Sequence, residues 1–354
     1  MSDEFTLLMY NMSRKVKPMK DTKVAVIGGG AWGTALANLL GEKGLKVNLW
    51  VYETELCRII KEKRENTFFL HGKRLSENIS PSNSMKETTE EAMVFIVASP
   101  SHVLRGIINE LNRHLPPEAI IVSVTKGIEN DTLKLPSQIF EEILPEGINL
   151  RTVYLSGPTF AKEVAGRLPV AATIAAVDTE IAEYIQNLFN TPYFRLYTHT
   201  DIIGVEIGGA LKNVVAIAAG ASDGLGFGNS ARAALITRGL TEIIRLGAAM
   251  GADPVTFTGL SGIGDLVLTC TADLSRNRTV GLKLGQGMKL DAILKDMRMV
   301  AEGVKTTKSA YELGKKHKVE LPIINEVYAI LYESKNPKDA VVNLMSRSLK
   351  KEFQ

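Results

Sequence analysis

Cysteine is nearly missing from this chain. Only Cys57 and Cys270 occur among 354 residues, and two widely separated cysteines make neither a disulfide framework nor a Cys-x-x-Cys metal site. The five histidines, at 71, 102, 114, 199 and 317, never fall into His-x-His or His-Glu-x-x-His spacing, so no metal centre is expected. A dominant charge is lacking too. Lysine plus arginine number 42 against 39 acids, a balance with no general pull toward nucleic acid or anionic membranes. A local basic cluster could still hold a phosphate. Residues 1–21 mix acids with bases and contain no long apolar core; they read as a short extension, not an export leader. The final Lys351-Glu352-Phe353-Gln354 matches no retention or peroxisomal signal. The cytoplasm is the expected compartment.

What is present is an ordinary globular composition, 45% hydrophobic and 23% charged, over a length that suggests two domains. One segment is long and apolar enough to raise a membrane question, residues 202–221. Glu206, Lys212 and Asn213 lie inside it, and a charge at the centre of a membrane helix costs about 2.5–3.5 kcal/mol. A helix buried in a protein core explains it better.

The first part of the chain alternates. Apolar, β-branched runs at 23–28, 46–51, 93–98, 120–125 and 153–156 read as strands. Helical periodicity follows at 31–42, 54–65, 101–112 and 133–143. Further strands are expected at 170–176 and 194–197, around a helix at 179–189. This is the pattern of a doubly wound, Rossmann-like α/β domain. From Asp201 onward only helices are expected, at 202–221, 230–250, 276–285, 291–297, 304–316, 322–333 and 337–346. The expected plan is an extension at 1–21, a dinucleotide-binding domain at 22–200 and an all-helical substrate domain at 201–354.

Many of the thirty glycines cluster where chemistry is expected. Gly28-Gly29-Gly30-Ala31-Trp32-Gly33 fits Gly-x-Gly-x-x-Gly between a strand and a helix. Gly28 serves the tight turn, Gly30 the approach of a pyrophosphate, and Gly33 the packing of helix on strand. The helix N-terminus then offers free N–H groups to the phosphates. Glu53, 20 residues beyond Gly33, stands where an acid accepts a hydrogen bond from the adenine ribose. It favours NAD, although Arg58, Lys61 and Lys63 follow and leave NADP open.

Ligands of such sheets bind beyond the carboxyl ends of the strands. Ser99-Pro100-Ser101-His102, Thr125-Lys126-Gly127 and Gly157-Pro158-Thr159-Phe160-Ala161 follow three of the strands, so Lys126 is aimed at the crevice unless it is simply a surface lysine. Lys212 shares the apolar segment 202–221 only with Glu206 as a second charge. If buried, its pKa falls and it can act as a general base toward an alcohol. Periodicity is equally compatible with a lysine that snorkels to the surface. Asp265 and Thr269 share one helix face. Ser275-Arg276-Asn277-Arg278 suits a phosphate, as guanidinium binds it bidentately, and equally suits a capped, solvated helix start.

Together these segments resemble the NAD(P)-dependent glycerol-3-phosphate dehydrogenases. The matching motifs are GGGAWGTALA at 28–37, VTKGIE at 124–129, SGPTFAKE at 156–163, GGALKNVVAIAAGASDGLGFGNSARAALITRGL at 208–240, GLSGIGDLVLTC at 259–270 and SRNR at 275–278. The resemblance implies interconversion of sn-glycerol 3-phosphate and dihydroxyacetone phosphate, linked to glycerophospholipid synthesis, by a cytoplasmic homodimer that needs no nucleic acid or membrane. It implies Lys212 as catalytic base, Lys126 touching substrate and cofactor, and Asn213, Asp265 and Thr269 as partners of Lys212 and substrate. It further implies a phosphate clamp from Ser275, Arg276 and Asn277, with Arg276 also at the cofactor, substrate contacts at Gly157 and Thr159, and cofactor contacts at Trp32, Ala161, Val300 and Glu302. Two positions depart from the pattern. Ala31 stands where bacterial members often carry serine, leaving that grip to backbone groups, and Tyr52 stands where NADP-using members often carry Arg or His. Two rivals remain at this stage: a dehydrogenase of another hydroxy acid or sugar, and a dinucleotide-binding sensor without turnover.

Overall fold

The computed structural model describes residues 22–297, 301–349 and 351–352. The proposed extension at 1–21 and Val300 lie outside the described residues. Eight strands form one sheet in the order β3-β2-β1-β4-β5-β6-β7-β8. They are β1 (Val24–Ile27), β2 (Val47–Trp50), β3 (Ile79–Ser82), β4 (Val94–Val97), β5 (Ile120–Ser123), β6 (Thr152–Ser156), β7 (Val170–Ala176) and β8 (Phe194–His199). The strands β1 to β6 run parallel.

Parallel strands need helical crossovers, which cover both faces of the sheet and force its strands to be apolar throughout. Val24, Val26, Val94 and Ile96 accordingly pack toward the helix Ala31–Glu42 through Leu36, Leu39 and Leu40. Ala25, Ile27, Phe95 and Val97 face the other way, toward Leu104, Ile108 and Phe140.

Three local features differ from the sequence expectation. The strand β3 was not expected, because Ile79-Ser80-Pro81-Ser82 is short and carries a proline, which argues against a strand. It is an edge strand, where proline is tolerated. The helix expected from 133 starts instead at Pro136, after Leu133 at φ 59°. The strand β7 runs antiparallel to β6 and parallel to β8; the connection between β6 and β7 holds only the short helix Ala161–Ala165.

After β8 the described residues form helices. The apolar segment becomes the central helix Ile202–Gly224, longer than expected because Ser222, Asp223 and Gly224 continue it. It is buried along most of its length, as a core helix. The glycine-rich segment at 259–264 is a widened turn over Leu260–Gly264 that runs directly into the helix Asp265–Thr271.

The helix Arg276–Gly285 crosses the central helix at backbone distance. A Cβ on Gly281 would lie 2.0 Å from the carbonyl oxygen of Ile217, and one on Gly220 would lie 2.0 Å from that of Arg278. Only glycine permits this approach. The crossing brings the residues at the start of the second helix beside the polar centre of the first, with Asn277 Nδ2 donating to Asn213 Oδ1 at 2.9 Å.

Candidate active site

The candidate site gathers residues at the carboxyl ends of the strands and on the helices that follow them. It begins with the glycine loop after β1. Gly28 adopts φ 130°, and a Cβ there would come within 2.6 Å of the Ala98 oxygen. A Cβ at Gly33 would come within 2.0 Å of the Gly28 oxygen, whereas one at Gly30 would meet nothing within 4 Å. The loop is therefore packed tightly on its inner side and open at Gly30, with the N-terminus of the helix Ala31–Glu42 beside it. An anion such as a dinucleotide's diphosphate fits this cradle, because the first N–H groups of the helix have no internal partner. Trp32 Nε1, in the first turn of that helix, is buried without a hydrogen-bond partner.

The end of β2 flanks the loop. Val51 packs against Gly29, Tyr52 is exposed, and Glu53 precedes the helix Thr54–Lys63 as its N-cap residue without using its side chain for the cap. Arg58 donates to Glu62 at 3.0 Å on its own helix, so its charge is already paired there.

At the far side, a buried carboxylate sits between two ammonium groups. Asp265, fully buried, accepts from Lys212 Nζ at 2.5 Å and from Lys126 Nζ at 2.8 Å. Lys212 also donates to Thr269 Oγ1 at 2.9 Å, and Lys126 to the Gly157 carbonyl at 3.0 Å. The structure thus decides between the two readings of Lys212: it is only 7% exposed and does not snorkel. Burial pulls its pKa down to about 8; Asp265 opposes that fall and Lys126 adds to it. An amine poised near neutral pH and held by two acceptors has the properties of a general base.

Arg276 projects from the start of the helix Arg276–Gly285. Ser275 caps that helix, accepting from the Arg278 N–H at 3.2 Å, so the capped helix start is present as one of the two readings had it. Desolvation lowers the pKa of Arg276, although its side chain keeps solvent access; Glu302 opposes the shift. Glu302 is pushed up to about 7 by burial, against Arg276, the Ser101 N–H that it accepts, Lys126 and Lys212. Asn277 Oδ1 accepts from the Gly303 N–H at 3.0 Å, joining three helices at one point. Thr159 Oγ1 bonds back to the Gly157 carbonyl at 3.2 Å, and Ala161 starts the short helix after it.

The residues foreseen from sequence therefore fall into two groups. Lys126, Gly157, Lys212, Asp265 and Thr269 form one bonded network, with Asn213, Asn277, Arg276 and Glu302 next to it. Gly28, Gly30, Ala31, Trp32, Gly33, Tyr52 and Glu53 line the other end. Sequence reasoning missed Asp223, which holds Arg278 through Nε at 2.9 Å, and Asn66, which stands behind the glycine loop. The acid–base pair lies within motifs already noticed, whereas Asn66 carries no local signal.

The pattern described as NAD-dependent glycerol-3-phosphate dehydrogenase N-terminus matches residues 23–182, and that described as its C-terminus matches residues 201–342. A glycerol-3-phosphate dehydrogenase (NAD(P)+) of Geobacter metallireducens is 54% identical over 330 residues, spanning 93% of this chain and 98% of that protein. The chain belongs to the NAD-dependent glycerol-3-phosphate dehydrogenase family. Another family member, from Syntrophobacter fumaroxidans, is 51% identical over 94% of this chain and 97% of its own. The crystal structure of the family's Coxiella burnetii enzyme superposes with a TM-score of 0.89 at 35% identity, covering 93% of this chain and all of that one. The α/β sheet followed by a helical half is thus the family's fold.

Proposed function

We propose that this chain oxidises sn-glycerol 3-phosphate to dihydroxyacetone phosphate, and catalyses the reverse, with NAD(P) as the redox partner. The observation that carries the reading is the Asp265 carboxylate held between Lys126 and Lys212, in a chain that also carries a glycine loop open at Gly30. The dinucleotide, when bound, supplies a hydride acceptor or donor. Gly28, Gly30, Ala31, Trp32 and Gly33 hold its diphosphate, and Glu53 accepts from its ribose, which favours NAD over NADP. Tyr52, Ala161, Arg276, Val300 and Glu302 complete the cofactor contacts.

The protein's own part is proton transfer and positioning. Lys212, as the amine, takes the proton from the C2 hydroxyl during oxidation; as the ammonium, it returns that proton during reduction. Asp265 and Thr269 aim Lys212, and Lys126 helps to position the substrate as a hydrogen-bond donor. Arg276 holds the phosphate, with Ser275, Asn277 and Asn213 fixing the helix start that carries it. Gly157 and Thr159 bound the substrate against the sheet.

The domain division at 22–200 and 201–354, a homodimeric assembly, a cytoplasmic setting and a role in glycerophospholipid synthesis belong to the same proposal. They rest on the family resemblance, and the activity needs neither nucleic acid nor a membrane.

The test follows NADH absorbance with dihydroxyacetone phosphate, and with NADPH in parallel. Turnover is expected with both phosphate and nicotinamide present. In Lys212→Ala it should fall by about 100-fold or more, the usual contribution of a general acid–base, while NADH affinity stays near that of the unaltered protein. Wild-type turnover in that variant removes Lys212 as the base.

A further inference from the structure

The glycine loop is held from behind by two side chains, Thr34 just after its last glycine and Asn66 far along the chain. Asn66 is fully buried. Its Nδ2 donates to the Gly29 carbonyl at 2.8 Å and to Thr34 Oγ1 at 2.8 Å. The Thr34 hydroxyl itself donates to the same Gly29 carbonyl at 3.2 Å. Asn66 Oδ1 accepts from the Phe69 N–H at 2.9 Å, which fixes the orientation of the amide. One carbonyl in the loop therefore takes two donors on its inner side.

A trans peptide is planar, so its C=O and the next N–H point in opposite directions. Holding the Gly29 carbonyl toward Asn66 aims the Gly30 N–H away from it. Gly30 is where a Cβ would meet nothing within 4 Å. A peptide flipped the other way would turn a carbonyl oxygen toward the phosphates and repel them. The neighbouring Ala31 has no hydroxyl, so backbone N–H groups carry the contact at these positions.

We propose that Asn66, acting with Thr34, is a positioning residue for the diphosphate of the dinucleotide: it sets the Gly29–Gly30 peptide so that its N–H faces the ligand. This rests on the dinucleotide reading of the loop. Asn66 touches no ligand in this account; it acts through the peptide.

The test uses the full-length protein with Asn66→Leu and Asn66→Asp. The first removes the amide, and the second introduces a carboxylate that accepts and cannot donate to the carbonyl. NADH binding is measured by its fluorescence, with displacement by ADP, which carries the diphosphate, and by adenosine, which does not. Loss of a buried hydrogen bond should weaken NADH and ADP together by about 10- to 100-fold, with adenosine unchanged. If thermal melting shows that neither variant folds, Thr34→Val removes the second donor with little change of shape and should weaken NADH and ADP by about 5-fold. NADH affinity within two-fold of wild type in a folded variant overturns the proposal, as does an equal loss for adenosine and ADP. A wild-type protein that binds no NADH instead overturns the dinucleotide reading, and the proposal with it.

Discussion

Lys212 illustrates how a single residue's chemistry depends on its surroundings. Its ammonium is buried, which lowers its pKa to about 8, while Asp265 limits the fall. Oxidation needs the amine, so kcat/KM for glycerol 3-phosphate should rise as pH passes upward through about 8. Reduction needs the ammonium, and its rate should fall over the same interval. Asp265→Asn removes the anion that favours the ammonium, so both midpoints should move to lower pH. The same substitution frees Lys212 from its guide, and kcat should drop by about 100-fold. Steady-state pH profiles in both directions test this, and an unmoved midpoint in Asp265→Asn removes Asp265 from the account. Arg276 keeps its solvent access while desolvation lowers its pKa, and its guanidinium has the planar fork that suits a bidentate anion.

Among the elements, the crossing of the helices Ile202–Gly224 and Arg276–Gly285 does most to build the site. It sets where Asn213, Arg276 and Asn277 meet, and it depends on contacts that a methyl group cannot share. Gly281→Ala places a Cβ 2.0 Å from the Ile217 oxygen. The helices must separate, at a cost of about 1–3 kcal/mol typical of overpacking. The KM for dihydroxyacetone phosphate should rise with it, because Arg276 moves. Urea unfolding and steady-state kinetics on the variant test both effects, and wild-type values would mean that the crossing is not tight. Buried carboxylates do a related job elsewhere. Glu242 accepts from the N–H groups of Ile323 at 2.7 Å and Ile324 at 3.1 Å, at the start of the helix Pro322–Tyr332. It satisfies donors that a helix start leaves open.

Across the whole molecule, the two halves are joined by polar contacts as well as apolar ones. Glu206, on the central helix, accepts from the Ser137 N–H at 2.9 Å and from its hydroxyl, and so caps the helix Pro136–Ile143 on the sheet. Burial pushes Glu206 up from 4.5 to about 8, against the two hydrogen bonds from Ser137. A carboxyl whose folded pKa is raised stabilises the folded state below its unfolded value, and that stability is lost as pH rises through the folded value. The window here runs from 4.5 to about 8. In Glu206→Gln the amide can still accept from the Ser137 N–H and carries no titratable proton. Between pH 6 and pH 9 the wild type should therefore lose about 1–3 kcal/mol more stability than the variant. Urea titrations at the two pH values measure the difference; equal losses would show that Glu206 does not titrate in this window.

The sequence alone determined whatever depends on neighbours along the chain. The glycine loop between strand and helix, the alternation of the first half, the helices of the second, and the burial of 202–221 are all local periodicity and turn chemistry, and they carried through to the structure. Tertiary structure decided what depends on distant partners. The strand β3 sits at an edge, where Pro81 is tolerated, and β7 pairs antiparallel with β6, a direction that periodicity does not record. Whether Lys212 was buried or snorkelling depended on Asp265, which lies 53 residues away in the chain, and the pairing of Lys126 with Asp265 spans 139. Asn66 acquires its place behind Gly29 only when the chain between them, 37 residues, has folded back. Periodicity reports which face of an element is apolar; it carries no record of which polar side chains from separate elements will share one buried site, and that sharing sets the chemistry.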